Sequence, residues 1–262
     1  MEPFLYLLFG IAVPVTSIAT LNAGYQPVPV LGITFAGSLL LFLWVTIRLQ
    51  YAWKKLSPAE RANNPTLDQM RWLFTLGTVF IFCDSFPHVI LPILGFSDQF
   101  ITTAHWVAHL FLFVYLIMAA RMAVSFFHSE WKNYVTALVV LISIAALAVS
   151  VMKPDFLVYI PGSSYPLVSS DPLYALFNMI TLAASLIIFG LYLIVNSLIR
   201  GTLTTRIRAF MLGVGFWGNA TIGYLVHYSH APNTFQLIFI AFAIWTTGTG
   251  FAALYGATWR RS

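Results

Sequence analysis

The chain has 262 residues; 8% are charged, 60% are hydrophobic, and the formal net charge is +5. A soluble domain carries about 25% charged residues, so there is too little polar material here to cover a water-facing surface. Soluble globular, disordered, collagen-like and disulfide-scaffold classes are excluded together, which leaves a chain embedded almost wholly in a bilayer.

About 20 apolar residues cross the hydrocarbon core. In chain order, eight such runs lie near 3–23, 29–52, 72–96, 102–127, 134–153, 172–199, 207–228 and 234–258. The count becomes seven if the short first run only lies in the interface. Met1-Glu2-Pro3 has no basic region before that run and no clear cleavage site, so the run reads as an uncleaved span and not a secretory signal. Backbone groups in lipid need internal partners, and continuous apolar runs of this length exclude the alternating pattern of a barrel. The predicted fold class is an all-α integral membrane protein: a polytopic bundle of about eight transmembrane helices in a single domain, 1–262. It divides into two four-helix halves, about 1–130 and 131–262, without a residue-level repeat.

The basic residues orient the bundle. Arg48, Lys54, Lys55, Arg61 and Arg71 surround the turn after the second run. Arg121 and Lys132 surround the turn after the fourth, and Arg200, Arg206 and Arg208 the turn after the sixth. Arg260 and Arg261 end the chain, and only Lys153 falls on the opposite side. The positive-inside rule then places both termini in the cytoplasm, and the membrane is read as the prokaryotic inner (cytoplasmic) membrane. The scattered cations form no stripe, so nucleic acid is not an expected partner; the bilayer, with some attraction to anionic lipid, is.

Two connections stand out. In 54–71, Ser57-Pro58-Ala59-Glu60 has the pattern of a capped helix start. The outer segment 154–172 contains Phe156, Leu157, Tyr159, Ile160 and Tyr165, which fits either a lid over the outer face or a plain interfacial loop. Thr246-Thr247-Gly248-Thr249-Gly250 lies inside the last run and reads as close helix packing, not nucleotide binding.

Ionisable side chains inside the hydrocarbon are costly and usually face a bundle interior or a watery cavity. Asp84 and His88 lie on the third run, His105 and His109 on the fourth, and His227 and His230 at the end of the seventh. His128 sits at the cytoplasmic end and reads as interfacial. Cys83, the lone cysteine, reads as a small buried hydrophobe. At 1.5 Å per residue, His88 lies roughly 12 Å and His109 roughly 10 Å below the outer rim, on adjacent antiparallel helices. Asp84 shares a face with His88, and His105 with His109, by their spacing of four. Pro87 and Pro92 are expected to kink the third helix there.

Three arrangements fit this cluster. The histidines satisfy buried hydrogen bonds; or His88 or His109 pairs with His227 around a haem b, with Gly213, Gly215 and Gly218 making room for the macrocycle; or Asp84, His88 and His105 or His109 hold a bare metal ion. Imidazole with one carboxylate suits copper, iron or zinc, with Asp84 as ligand or as the group that orients one. His227 and His230 are further candidate ligands.

The stretch Asp84-Ser85-Phe86-Pro87-His88, through Asp98, Phe100, Thr102, Ala104, His105 and Trp106, resembles the copper-site segment of the C subunit of copper membrane monooxygenases. That segment has Asp, three residues, His, then a further His opening the next helix. The resemblance covers 84–109 alone. The gap from His88 to the next histidine is longer here, and Asn219 and His227 are eight residues apart where the family's second copper motif has four.

The expected function is a membrane redox protein holding haem b, copper or iron near the outer face. It would work as a subunit of a respiratory or oxidative complex, with other membrane subunits or an electron-transfer partner. A zinc-dependent membrane hydrolase and a non-catalytic sensory or assembly module are the alternatives. No span carries a mid-membrane lysine, which argues against a retinal protein.

Overall fold

Prolines and short polar side chains decide where the helices begin. The computed structural model describes residues 2–24, 27–94, 97–125, 129–159, 166–199, 201–228 and 234–257. Helix α1 (Glu2–Leu5), a π-helical stretch (Tyr6–Ala12) and α2 (Val13–Asn22) run on as one rod. Pro14 has no N–H to offer the Gly10 carbonyl, and that carbonyl instead lies 3.5 Å from the Thr246 hydroxyl. Helix α3 spans Pro27–Lys54, the short α4 Pro58–Ala62, α5 Pro65–Leu94 and α6 Asp98–Ser125. Helix α7 is Lys132–Met152. Helices α8 (Pro172–Leu182) and α9 (Ile188–Ile199) flank a second π stretch, Ala183–Ile187; α10 is Leu203–Tyr228 and α11 Thr234–Ala257.

The expected capping box forms at α4. The Glu60 N–H donates to Ser57 Oγ at 3.4 Å, and the Ser57 N–H to Glu60 Oε2 at 2.8 Å. Arg61 then reaches back to the end of α3, donating from Nε to the Trp53 carbonyl and from Nη2 to that of Lys54, both at 3.2 Å. The turn between α9 and α10 repeats the device. Gly201, at φ +93°, adopts a conformation natural to glycine past a helix end, and Arg206 donates to the carbonyls of Ser197 (2.6 Å) and Leu198 (2.9 Å). Helix α8 starts at Pro172 behind Asp171, whose Oδ1 accepts the Leu173 N–H at 2.9 Å. That bond chiefly, opposed by partial desolvation and helped by the Lys153 ammonium 3.1 Å away, holds the Asp171 carboxyl below its usual range.

The chain is an all-α membrane bundle with one small addition. Among the described residues, five helices are long and apolar enough to cross a bilayer: Gly32–Lys54, Asp98–Ser125, Lys132–Met152, Pro172–Ile199 and Thr234–Ala252. The other expected runs are helical too, but less uniformly apolar among the described residues. The first is a shorter apolar helix, Leu7–Asn22, α10 carries Arg206 and Arg208 near its start, and part of α5 falls outside the described side chains. Helix α5 also begins at Pro65, ahead of the expected 72, because its first turns (Thr66, Asp68, Gln69, Arg71) are polar and helical at once. Whole apolar faces remain exposed, such as Leu138, Leu141, Ile144 and Val151 of α7 and Ile188, Leu191, Val195 and Leu198 of α9. A face of this kind suits lipid and not water.

Inside, Phe35 packs edge-on to Phe242 at 4.7 Å, and Phe42 lies 4.9 Å from both Phe74 and Trp245, tying α3, α5 and α11 together. The glycines of α10 and α11 lie at the contact between them. A Cβ on Gly215 would sit 2.6 Å from the Thr249 nitrogen, one on Gly218 2.6 Å from the Trp245 nitrogen, and one on Gly248 2.6 Å from the Met211 oxygen. The Thr246–Gly250 stretch therefore serves close packing, as expected. Gly213, Gly215 and Gly218, expected to open space for a macrocycle, are instead filled: Gly213 faces the Gly190 carbonyl of α9 and the other two face α11.

The segment 154–172 is more ordered than a plain loop. Strands β1 (Phe156–Tyr159) and β2 (Pro166–Ser169) pair antiparallel, with Phe156 opposite Ser169. Both lie against α6, β2 also against α5, and Leu157 and Ala104 pack on Ile101. The hairpin thus folds over one end of the bundle, opposite the Arg61 and Arg206 turns.

Candidate metal centre

Helix α6 supplies the two histidines. Its first turn is held by Ser97, whose Oγ accepts the Phe100 N–H at 3.3 Å, so His105 and His109 stand two and three turns into the bundle on one face. Both are buried, at 5% and 4% exposure, and their rings meet edge to face at 4.2 Å. Asp84 comes from α5, with Oδ1 3.2 Å from His105 Nδ1. The third group is Asp155, at the foot of the hairpin. One ring nitrogen from each histidine and an Asp155 carboxylate oxygen all lie within 4.8 Å of one another.

Register explains how a residue outside the helices reaches this depth. Trp106 Nε1 donates to Ser150 Oγ at 2.8 Å, which aligns the interior of α6 with the last turn of α7. The chain leaves α7 at Met152, and three residues on an Asp155 carboxylate oxygen reaches the histidine nitrogens. Asp155 Oδ1 is buried without a hydrogen-bond partner among the described residues. A buried carboxylate oxygen in that state calls for a cation or a donor.

One hydrogen bond assigns a tautomer. His109 Nδ1 lies 3.0 Å from the His105 carbonyl oxygen, which can only accept, so Nδ1 carries the proton. His109 then presents Nε2 as its lone pair, the pattern of a metal-ligating histidine held by a carbonyl behind it. Asp84 Oδ1 lies 3.2 Å from His105 Nδ1, a close contact outside hydrogen-bond geometry. Ionised, the two carboxylates would supply negative charge that a bound cation balances. Asp84→Asn retains the shape but removes the carboxylate beside His105. Metal affinity is expected to fall about 10- to 100-fold, read by competition against a chromophoric chelator.

Of the residues expected from sequence, Asp84, His105 and His109 are brought together. His88 and His227 lie on the described backbones of α5 and α10, but their side chains, and all of His230 and His128, lie outside the described residues. Asp155 was not expected, because it lies outside the apolar runs; its one signal in the sequence is a carboxylate directly after Lys153-Pro154. Tyr174 of α8, also missed, packs edge-on to His109 at 5.4 Å. His105 and His109 lie on one helix with their rings in contact, so together they fit a single ion; the expected haem pairing of His88 or His109 with His227 falls on side chains outside the described residues. No family model matches the chain, and neither does any curated protein or solved structure.

Proposed function

We propose that this protein is a membrane redox protein that binds one iron or copper ion between His105, His109 and Asp155, with Asp84 orienting His105. The reading includes eight spans and two cytoplasmic termini, set by the basic turns, which put the ion near the outer face. The observation that carries it is the convergence of the three ligand atoms within 4.8 Å, with His109 Nδ1 bonded to the His105 carbonyl and Asp84 Oδ1 3.2 Å from His105 Nδ1. Two imidazoles and one carboxylate leave coordination positions open, the arrangement in which iron and copper meet small molecules. When bound, the ion supplies Lewis-acid and one-electron chemistry. The residues of the chain fix its position, balance its charge and keep bulk water away. A one-electron centre needs a donor, so the proposal extends to an electron-transfer partner or further membrane subunit in a respiratory or oxidative assembly.

The same ligand set with a water in the open position would suit hydrolytic zinc, and metal analysis separates the two. Protein purified in detergent without chelators, or reloaded with metal, is expected to carry one iron or copper per chain and to show no Soret band. One zinc per chain with no affinity for the redox metals would favour the hydrolase. No stoichiometric metal after reloading would sink both.

A further inference from the structure

Tyr174 is among the largest fully buried side chains, at 1% exposure. Its ring is clamped by two rings of α6, edge-on to His109 at 5.4 Å and to Phe113 at 6.2 Å, so it has one orientation. Its hydroxyl is buried and has no hydrogen-bond partner among the described residues, although a buried tyrosine normally pairs its O–H. A buried donor with no partner among the described residues is thus carried by a ring packed on His109, a ligand of a site whose three protein ligands leave coordination positions open.

We propose that Tyr174 donates a hydrogen bond to a small anion carried at the open position of the metal, which makes hydroxide, azide and peroxide the class of ligand the site takes. This rests on the metal-site reading above. The clamp between His109 and Phe113 fixes the donor in advance, so the bond forms without reordering the ring. Larger ligands are disfavoured, because His105, His109, Tyr174 and Phe113 are all buried and packed ring to ring in that order.

The test uses the full chain in detergent, loaded with Cu(II), and follows the azide-to-copper charge-transfer band during azide titration. Tyr174→Phe removes only the hydroxyl. It is expected to bind copper at the same stoichiometry and azide about tenfold more weakly, the loss of one hydrogen bond to a charged group. Equal azide affinity in the two proteins, with equal copper, overturns the inference and leaves the metal site standing. A wild-type chain that takes up no copper overturns the metal site itself. Loss of copper from a folded Tyr174→Phe makes the phenol a metal ligand and also overturns the inference. Should the variant not fold, the unaltered protein decides: the azide stretch is expected to shift between H2O and D2O, and an unshifted stretch counts against the bond.

Discussion

His109→Ala is expected to lower the affinity for Cu(II) or Fe(II) by more than about a hundredfold. The floor comes from groups one step removed: losing a partner behind a ligand costs about 10- to 100-fold, and losing the ligand costs more. The effect is large for a second reason. With His109 gone, Asp155 and His105 cannot fix an ion alone, and two carboxylates share a buried space with less to balance them. Asp155→Asn tests the same centre from the hairpin side and keeps the volume. Both variants are measured by chelator competition, with thermal unfolding in detergent as the control for folding. Unchanged metal affinity in folded His109→Ala would remove the centre from consideration.

Gly248→Val should prevent α10 and α11 from packing. The atoms a side chain would meet are backbone: the Met211 oxygen at 2.6 Å and the Gly215 Cα and nitrogen at 2.8 Å. Backbone cannot rotate away as a side-chain end can, so the helices must separate along their length. Even Gly248→Ala is expected to cost about 3 kcal/mol, the upper end for overpacking a filled interior. Gly223 supplies the contrast. Its added Cβ meets only the Leu182 Cδ1 at 2.5 Å, a rotatable methyl, so Gly223→Ala should be tolerated far better. Unfolding in a denaturing-detergent titration reads both; equal stability of the two alanine variants would refute the close-packing account.

Much of the fold was legible because a bilayer imposes one rule on every span. Apolar runs became helices, Ser57 and Glu60 announced the cap at α4, and the small residues of 246–250 announced close contact. The start of α5 was harder, since Asp68 and Arg71 are good helix residues that do not look like membrane. The two π stretches left no pattern to read; they answer to Pro14 and to neighbouring helices, as when Trp217 Nε1 takes up the Ile187 carbonyl at 3.0 Å. At the centre, depth arithmetic levelled His88 with His109 and set Asp84 a turn deeper and His105 a turn shallower, whereas the packing of α5 on α6 puts Asp84 3.2 Å from His105. That arithmetic could not reach Asp155, whose position depends on where α7 ends against α6, a matter settled by Trp106 and Ser150. The glycines of α10 show the same limit. A missing side chain makes room, but only the tertiary structure says what fills it.

The arginines that close two turns also uncouple two properties usually carried by the same charge. Arg61 and Arg206 each place a planar fork across two terminal carbonyls of the preceding helix. Lysine would give the same sign to the insertion machinery but is a point donor and not a fork. On the proposed topology, orientation in the bilayer follows charge alone, whereas closure of each helical hairpin depends on guanidinium shape. A chain with lysine at both positions would still enter the membrane the right way round, with its hairpins less firmly latched when their neighbours arrive.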